Sequence, residues 1–277
     1  MKKLFVSLLI YSSIFTSLAQ SNVDGLLREG ISLLINKQFD KALEKFNEVI
    51  KIQPSNADAY YNRAIVNANT GNIKSAIDDY SKTIEYNPKK VEAFINRGSA
   101  YSEMKRYKEA LDDYNKAIEL KPKMAETYNN RGYLYSLQNN HAEAIKDFDK
   151  AISLNPKYSI AYINKAFSSS ATGNHQSAVD ILSKLIEVNP NFSSAYFNRA
   201  LEYKELKDFK NAIKDYDKGL TLEPNDTKAL ILKAALRDES GDHLGAVADC
   251  TTLLKLEPTN ALAYYTRALA EYDLPNY

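Results

Sequence analysis

VEAFINRGSAYSEMKRYKEALDDYNKAIELKPKM, residues 91–124, reads as two short amphipathic helices, a turn between them and a proline stop. Its apolar and small residues fall at Phe94, Gly98 and Tyr101, then at Ala110, Tyr114, Ala117 and Ile118. Those are the three- and four-residue steps of a helical face, not the alternation of a strand. The rest of the chain copies this unit. Seven of the eight prolines stand at 54, 88, 122, 156, 190, 224 and 258, each 34 residues after the last. A period of that size implies stacked units rather than one globular core. The repeats run 23–56, 57–90, 91–124, 125–158, 159–192, 193–226 and 227–260, and a further first helix follows over 261–272.

Composition bounds the function. Of 277 residues, 44% are hydrophobic and 26% charged, too apolar for a disordered chain. A net charge of +1 offers no basic excess to neutralise phosphates, so nucleic acid is not an expected ligand. One cysteine, Cys250, can form neither an internal disulfide nor a thiolate metal cluster. It stands where other repeats carry Phe46, Tyr80, Tyr114, Phe148 and Tyr216, which marks it as a small buried apolar residue.

Residues 1–19 lie outside the period. Lys2 and Lys3 precede an apolar run from Leu4 to Phe15, and Ser17-Leu18-Ala19 offers small residues for cleavage after Ala19. This is the pattern of a secretory signal peptide, and the run is short for a bilayer span. An uncleaved anchor is the rival reading. The expectation is an exported protein, periplasmic or secreted in a Gram-negative host, with residues 20–277 forming the solenoid and no stable membrane span once the leader is removed.

With the repeat numbered so that its proline is position 32, position 20 is Ala in all seven copies: Ala42, Ala76, Ala110, Ala144, Ala178, Ala212 and Ala246. Position 8 is always Gly or Ala, and position 4 is large, as in Tyr60, Phe94, Tyr128, Tyr162 and Tyr196. Large residues opposite small ones set the crossing of two close helices. The proline cannot continue the second helix. Gly71-Asn72, Asn139-Asn140, Gly173-Asn174 and Gly241-Asp242 supply turn residues that tolerate positive φ.

These residues resemble the tetratricopeptide repeat pattern, large-x3-small-x2-aromatic, then Ala-x3-aromatic, then Pro, from Val23 to the end of the chain. The resemblance implies an all-α, right-handed superhelical solenoid of antiparallel helix pairs, with first helices lining a concave groove and the final helix capping the stack. Departures stand at position 11 (Asn67, Ser169, Arg237) and position 24 (Leu182, Cys250), where looser packing is expected. An apolar edge on the last helix, with Tyr264, Tyr265 and Leu269, is the alternative to a cap.

Residues that look chemical prove periodic. His141, His175 and His243 all occupy position 17, a packing slot at the start of the second helix, so one metal ion is not expected to gather them. Asp79, Asp113, Asp147, Asp215 and Asp249 at position 23 match Arg63, Arg97, Arg131, Arg199 and Lys233 at position 7, while the first repeat reverses the charges with Glu29 and Lys45. The reversal predicts ion pairs within each repeat rather than between repeats, with Lys165 opposite Ile181 in the fifth and each pair weak if exposed. No phosphate loop, nucleophile elbow or paired-histidine motif appears. The expectation is a protein that is not an enzyme and takes no cofactor or metal.

Position 6 is Asn62, Asn96, Asn130, Asn164 and Asn198 in five consecutive copies. Asn is a mediocre helix former, and its amide offers a donor and an acceptor to an extended peptide. In tetratricopeptide domains that bind peptides, the resemblance implies backbone contact from this residue. Tyr61, Tyr133, Phe167 and Phe197 share that face by spacing. Asp58, Glu92 and Glu126 at position 2 lack the basic residues of a carboxylate clamp, so a neutral or basic segment is expected. The function expected is a non-catalytic protein–protein interaction scaffold or assembly factor. The alternative is an accessory subunit of a cell-envelope enzyme complex or a cell-wall glycan-binding module.

Overall fold

A computed structural model describes residues 20–274; the leader expected over residues 1–19 lies outside them. All regular structure among the described residues is helical. The chain divides between Asn130 and Arg131 into two compact units. In the first unit α1 (20–35), α2 (Phe39–Ile52), α3 (Ala57–Asn69), α4 (Ile73–Tyr86), α5 (Val91–Glu103) and α6 (Tyr107–Leu120) follow one another, and α7 (Ala125–Leu137) crosses the boundary. The second holds α8 (His141–Leu154), α9 (Ser159–Ala171), α10 (His175–Val188), α11 (Ser193–Glu205), α12 (Phe209–Leu222), α13 (Thr227–Glu239), α14 (His243–Leu256) and α15 (Ala261–Tyr272). Within each unit helices pack on their chain neighbours: α2 to α6 in the first, α8 to α15 in the second.

The hairpins are antiparallel because contacts close inward on the turn. Arg63 meets Asp79 sixteen residues on, Asn67 meets the same Asp79 twelve on, and Ser169 approaches Ser177 eight on. The position-20 alanines are fully buried where the helices cross. The aromatic at position 24 lies directly on the small residue at position 8. A Cβ built on Gly30 would come 2.6 Å from the Phe46 ring, and one on Gly98 3.0 Å from Tyr114. Leu182 and Cys250, expected to pack loosely, are completely buried; burial pushes the Cys250 thiol up to about 11.

Each turn is a Schellman closure. Asn72 N–H donates to the Asn67 carbonyl and Gly71 N–H to that of Ala68, and Arg106 and Lys105 repeat the pattern on Tyr101 and Ser102. The left-handed residue is position 15. It is Gly71, Asn139, Gly173 and Gly241 as the sequence suggests, but also Lys37, Lys105 and Lys207, with φ of 57°, 59° and 60°. Stacking on the previous hairpin has its own latch: the hydroxyls of Tyr128, Tyr162 and Tyr196 donate to the carbonyls of Pro122, Pro156 and Pro190 at 3.0–3.2 Å.

The charges at positions 7 and 23 pair inside six of the seven repeats, the fifth having Ile181 at position 23. Arg63, Arg97, Arg131 and Arg199 each grip their aspartate through Nε and Nη2 at 2.6–2.8 Å. Lys233 meets Asp249 at 3.0 Å and the reversed pair Lys45–Glu29 stands at 3.3 Å. The five aspartates are buried, so each pair sits in a less polar medium than a surface bridge. Burial pushes Asp113 and Asp249 up against the pull of Arg97 and Lys233. The basic residue also reaches back to position 25 of the preceding repeat. Arg63 Nη1 donates to Asn47 Oδ1 at 2.6 Å, and Arg97 and Arg199 donate to Ser81 and Ser183 hydroxyls at 2.9 Å. Lys233 bridges to Asp217, and Lys165 pairs with Asp149 of the preceding repeat rather than idling opposite Ile181. Asn67 and Arg237, departures at position 11, supply further partners to buried Asp79 and Asp249.

Candidate functional site

The first helices carry the surface that the scaffold leaves unspent. Positions 2, 6, 9 and 13 line one side of each by helical spacing.

In residues 20–130 that side is polar and largely engaged from α3 onward, while α1 leaves Ile31 and Ile35 exposed at positions 9 and 13. Asn62 Nδ2 donates to the Asp58 carbonyl of its own helix at 2.7 Å, and Asn96 Nδ2 donates to the Tyr61 hydroxyl at 3.1 Å. Asn130 accepts from Asn129 at a long 3.4 Å. The bonds of Asn62 and Asn96 use one amide proton each and leave the Oδ1 acceptor for other work. Tyr61 is held on three sides, with Lys90 Nζ 4.5 Å over its ring, Tyr80 tilted at 6.0 Å and Asn96 on its oxygen; burial and the nearby Glu92 raise its hydroxyl's pKa. Lys90 also pairs with Asp58 at 2.6 Å. Asn96 faces a cleft of about 320 Å³ whose walls include Ile65, Asn69, Ser99 and Glu103. Asp58, Glu92 and Glu126 are exposed.

In residues 131–274 the same side carries more exposed apolar surface, beside the charges of Lys228, Glu205 and Glu239. Position 9 presents Tyr133, Phe167 and Leu201 in successive repeats at 51%, 64% and 40% exposure. At position 2, Ile160 is half exposed in the place that acids occupy earlier. Asn198 Nδ2 donates to the Ser194 carbonyl at 2.7 Å, and half-buried Asn164 has a partner of its own. Phe197 belongs to the scaffold: its ring stacks on Tyr216 at 6.1 Å and fills the space over Gly219, where an added Cβ would clash with it. Ile160 was not among the residues that the sequence singled out. The switch at position 2 from acid to isoleucine is the signal that marks it.

The histidines fill packing slots, and two of the three make polar contacts, while buried His141 Nδ1 has no hydrogen-bond partner. His175 Nδ1 lies 2.8 Å from Glu202, and His243 Nδ1 lies 2.7 Å from Asp238. Ligand atoms of Asp238, His243 and Asp273 come within 4.8 Å of one another, a set that could hold a cation. Among the described residues no helix is long and apolar enough to cross a membrane.

The chain matches tetratricopeptide repeat profiles over residues 91–124, 125–158 and 193–226, over 57–90 and 160–192, and over 32–71. None of the curated protein sequences matches it. Among solved structures it is similar to a tetratricopeptide repeat protein from Parabacteroides merdae, at 21% identity and a TM-score of 0.66, covering 91% of this chain and 99% of that one. The C-terminal part of a TPR repeat-containing protein from Cytophaga hutchinsonii is similar at 20% identity and a TM-score of 0.70, covering 87% and 98%. YrrB, described as a TPR protein with an unusual peptide-binding site, is similar at 21% identity and a TM-score of 0.52, covering 68% and 97%. Repeat period, helix pairing and profile matches over well more than half of its length agree that the chain belongs to the tetratricopeptide repeat family, whose fold is typical of protein–protein interaction scaffolds.

Proposed function

We propose that the protein is a non-catalytic scaffold or assembly factor that holds a segment of a partner protein on its first-helix surfaces. The observation that carries this reading is the run of Tyr133, Phe167 and Leu201, large apolar residues left exposed at one repeat position in three successive repeats. Apolar surface kept in water at a fixed register is the mark of a binding wall. Asn164 and Asn198 stand one helical turn before Phe167 and Leu201, so each repeat offers an amide beside an apolar contact. On the first unit, Asn62 and Asn96 with the exposed acids suit a neutral or basic extended segment. The leader pattern of residues 1–19 supports export to the periplasm or beyond.

Pull-down from a cell-envelope fraction tests this. Phe167→Glu should lose the prey that the wild type retains, with its thermal unfolding unchanged, and Asn96→Ala with Asn130→Ala should weaken capture less. Equal capture by wild type and Phe167→Glu would move the site off this wall. Binding to purified cell wall without any protein prey would favour the glycan-binding alternative.

A further inference from the structure

Position 17 carries a histidine in three repeats, and the surroundings differ in each. His141 Nδ1 is buried with no hydrogen-bond partner. His175 Nδ1 meets one carboxylate, that of Glu202, with Ser170 Oγ at 3.3 Å. His243 is framed by two. Asp238 Oδ1 lies 2.7 Å from its Nδ1, and Asp273 completes a group whose ligand atoms all lie within 4.8 Å of one another. The three come from three helices: Asp238 from the last turn of α13, His243 as the first residue of α14, Asp273 as the C-cap of α15. Among the described residues no other three His, Cys, Asp or Glu side chains gather in this way.

Charge sets this group apart from the ion pairs of the frame. A helix C-terminus carries partial negative charge, so an acid placed there sits at the wrong end. Here two acids at two C-termini converge, and carboxylates held this close repel. Each position-23 aspartate has an arginine or lysine partner. Among the described residues neither Asp238 nor Asp273 has one. The adjacent Arg237 is directed at Asp249 and Asp242 instead. A single imidazole, charged or not, cannot offset both carboxylates.

We propose that Asp238, His243 and Asp273 bind a divalent first-row transition ion such as zinc, which staples the ends of α13 and α15 to the start of α14. Ligand atoms about 2.0–2.2 Å from an ion stand about 3–4 Å from each other. The gathered atoms therefore need only a small closure, and exposed Asp273 is free to supply it. One imidazole nitrogen with two carboxylate oxygens suits zinc and its neighbours, whereas magnesium and calcium take oxygen ligands. The ion takes the place of the proton that Nδ1 and Asp238 share, and the ring keeps its other proton on Nε2. Water completes the coordination on the exposed side. The group shares no residue with the wall of Tyr133, Phe167 and Leu201, so failure of one proposal leaves the other standing.

Zinc itself is the probe. Calorimetric titration of the untagged, chelator-stripped full chain with zinc chloride should show saturable binding at a single site. The melting temperature should rise with zinc, because an ion that binds only the folded form stabilises it. Position 17 is Phe39 and Phe209 in other repeats, so His243→Phe removes the nitrogen and keeps a side chain the slot accepts. His243→Phe and Asp273→Asn should each weaken zinc binding at least about tenfold, the smallest loss typical of a disturbed metal site. His175→Phe should leave it unchanged. Circular dichroism melts without zinc establish that the variants fold. No zinc binding, binding indifferent to His243→Phe and Asp273→Asn, or binding lost equally in His175→Phe overturns the proposal. Magnesium bound as tightly as zinc would reduce the site to a carboxylate pair without the imidazole and overturn it as well.

Discussion

The two units share one scaffold and present different surfaces. At position 9 the first unit offers Ile31 at 37% exposure, Ile65, half buried, and Ser99, while the second offers Tyr133, Phe167 and Leu201 to water. At position 2 the first unit has Asp58, Glu92 and Glu126, while the second begins with Ile160. Tyr61 in the first unit is locked under Lys90 and Asn96; Phe167 in the second stands clear. The lesson is that the repeat separates its tasks by position. Positions 4, 7, 8, 20, 23 and 24 hold the hairpin and vary little. Positions 2 and 9 lie outside that set and diverge between the units, so each unit writes its own recognition surface on the same frame.

The sharpest way to break that division is to compare two phenylalanines of the second unit. Phe148→Ala, at a fully buried position 24, should cost about 3–5 kcal/mol in denaturant unfolding. Phe167→Ala, on the exposed wall, should stay within about 0.5 kcal/mol and act on binding alone. A large stability loss from Phe167→Ala would dissolve the distinction between frame and surface. In the first unit, Asp113→Ala strands the Arg97 guanidinium and should cost roughly 3 kcal/mol, measured in the same way. Ala110→Leu overpacks the helix crossing and should cost about 1–3 kcal/mol. The smallest effect runs the other way. Lys105→Gly relieves a left-handed lysine in an exposed turn and should raise stability by about 0.5–1 kcal/mol, visible as a higher melting temperature. Cys250 reports on the second unit without any substitution: with its thiol buried and raised, it should resist thiol reagents at pH 8 until the last repeat opens.

Much of the frame was legible because one sequence repeats the same experiment seven times. Invariant Ala at position 20 and Pro at position 32 fix the crossing and the stop, and the charge reversal at Glu29 and Lys45 identifies the ion-pair partner. What was not legible has a physical reason in each case. Lys37, Lys105 and Lys207 give no hint of a left-handed backbone, because the surrounding Schellman bonds impose it against the residue's preference. Asn47, Ser81, Ser183 and Asp217 look like solvent-facing polar residues until the arginine or lysine of the next repeat arrives. Asn67 and Arg237 depart from the aromatic pattern, and Asn67 donates to Asp79 while Arg237 comes within 3.2 Å of Asp249, carboxylates that only the folded hairpin brings near. The asparagine ladder was visible as a pattern. The own-helix bonds of Asn62 and Asn198, and the scaffold role of Phe197, depend on rotamers that spacing does not encode.

The backward reach of Arg63, Arg97, Arg199 and Lys233 has a consequence for how such a chain can lengthen or shorten. Each cation is shared across a joint, so no hairpin is an independent brick. Gain or loss of whole 34-residue modules re-forms every joint with a polar acceptor waiting on the earlier side. A cut at any other phase would strand a guanidinium or a carboxylate in the interior. The genetic unit of duplication is thereby tied to an electrostatic one, and drift in the number of modules is permitted only in steps that keep the two in phase.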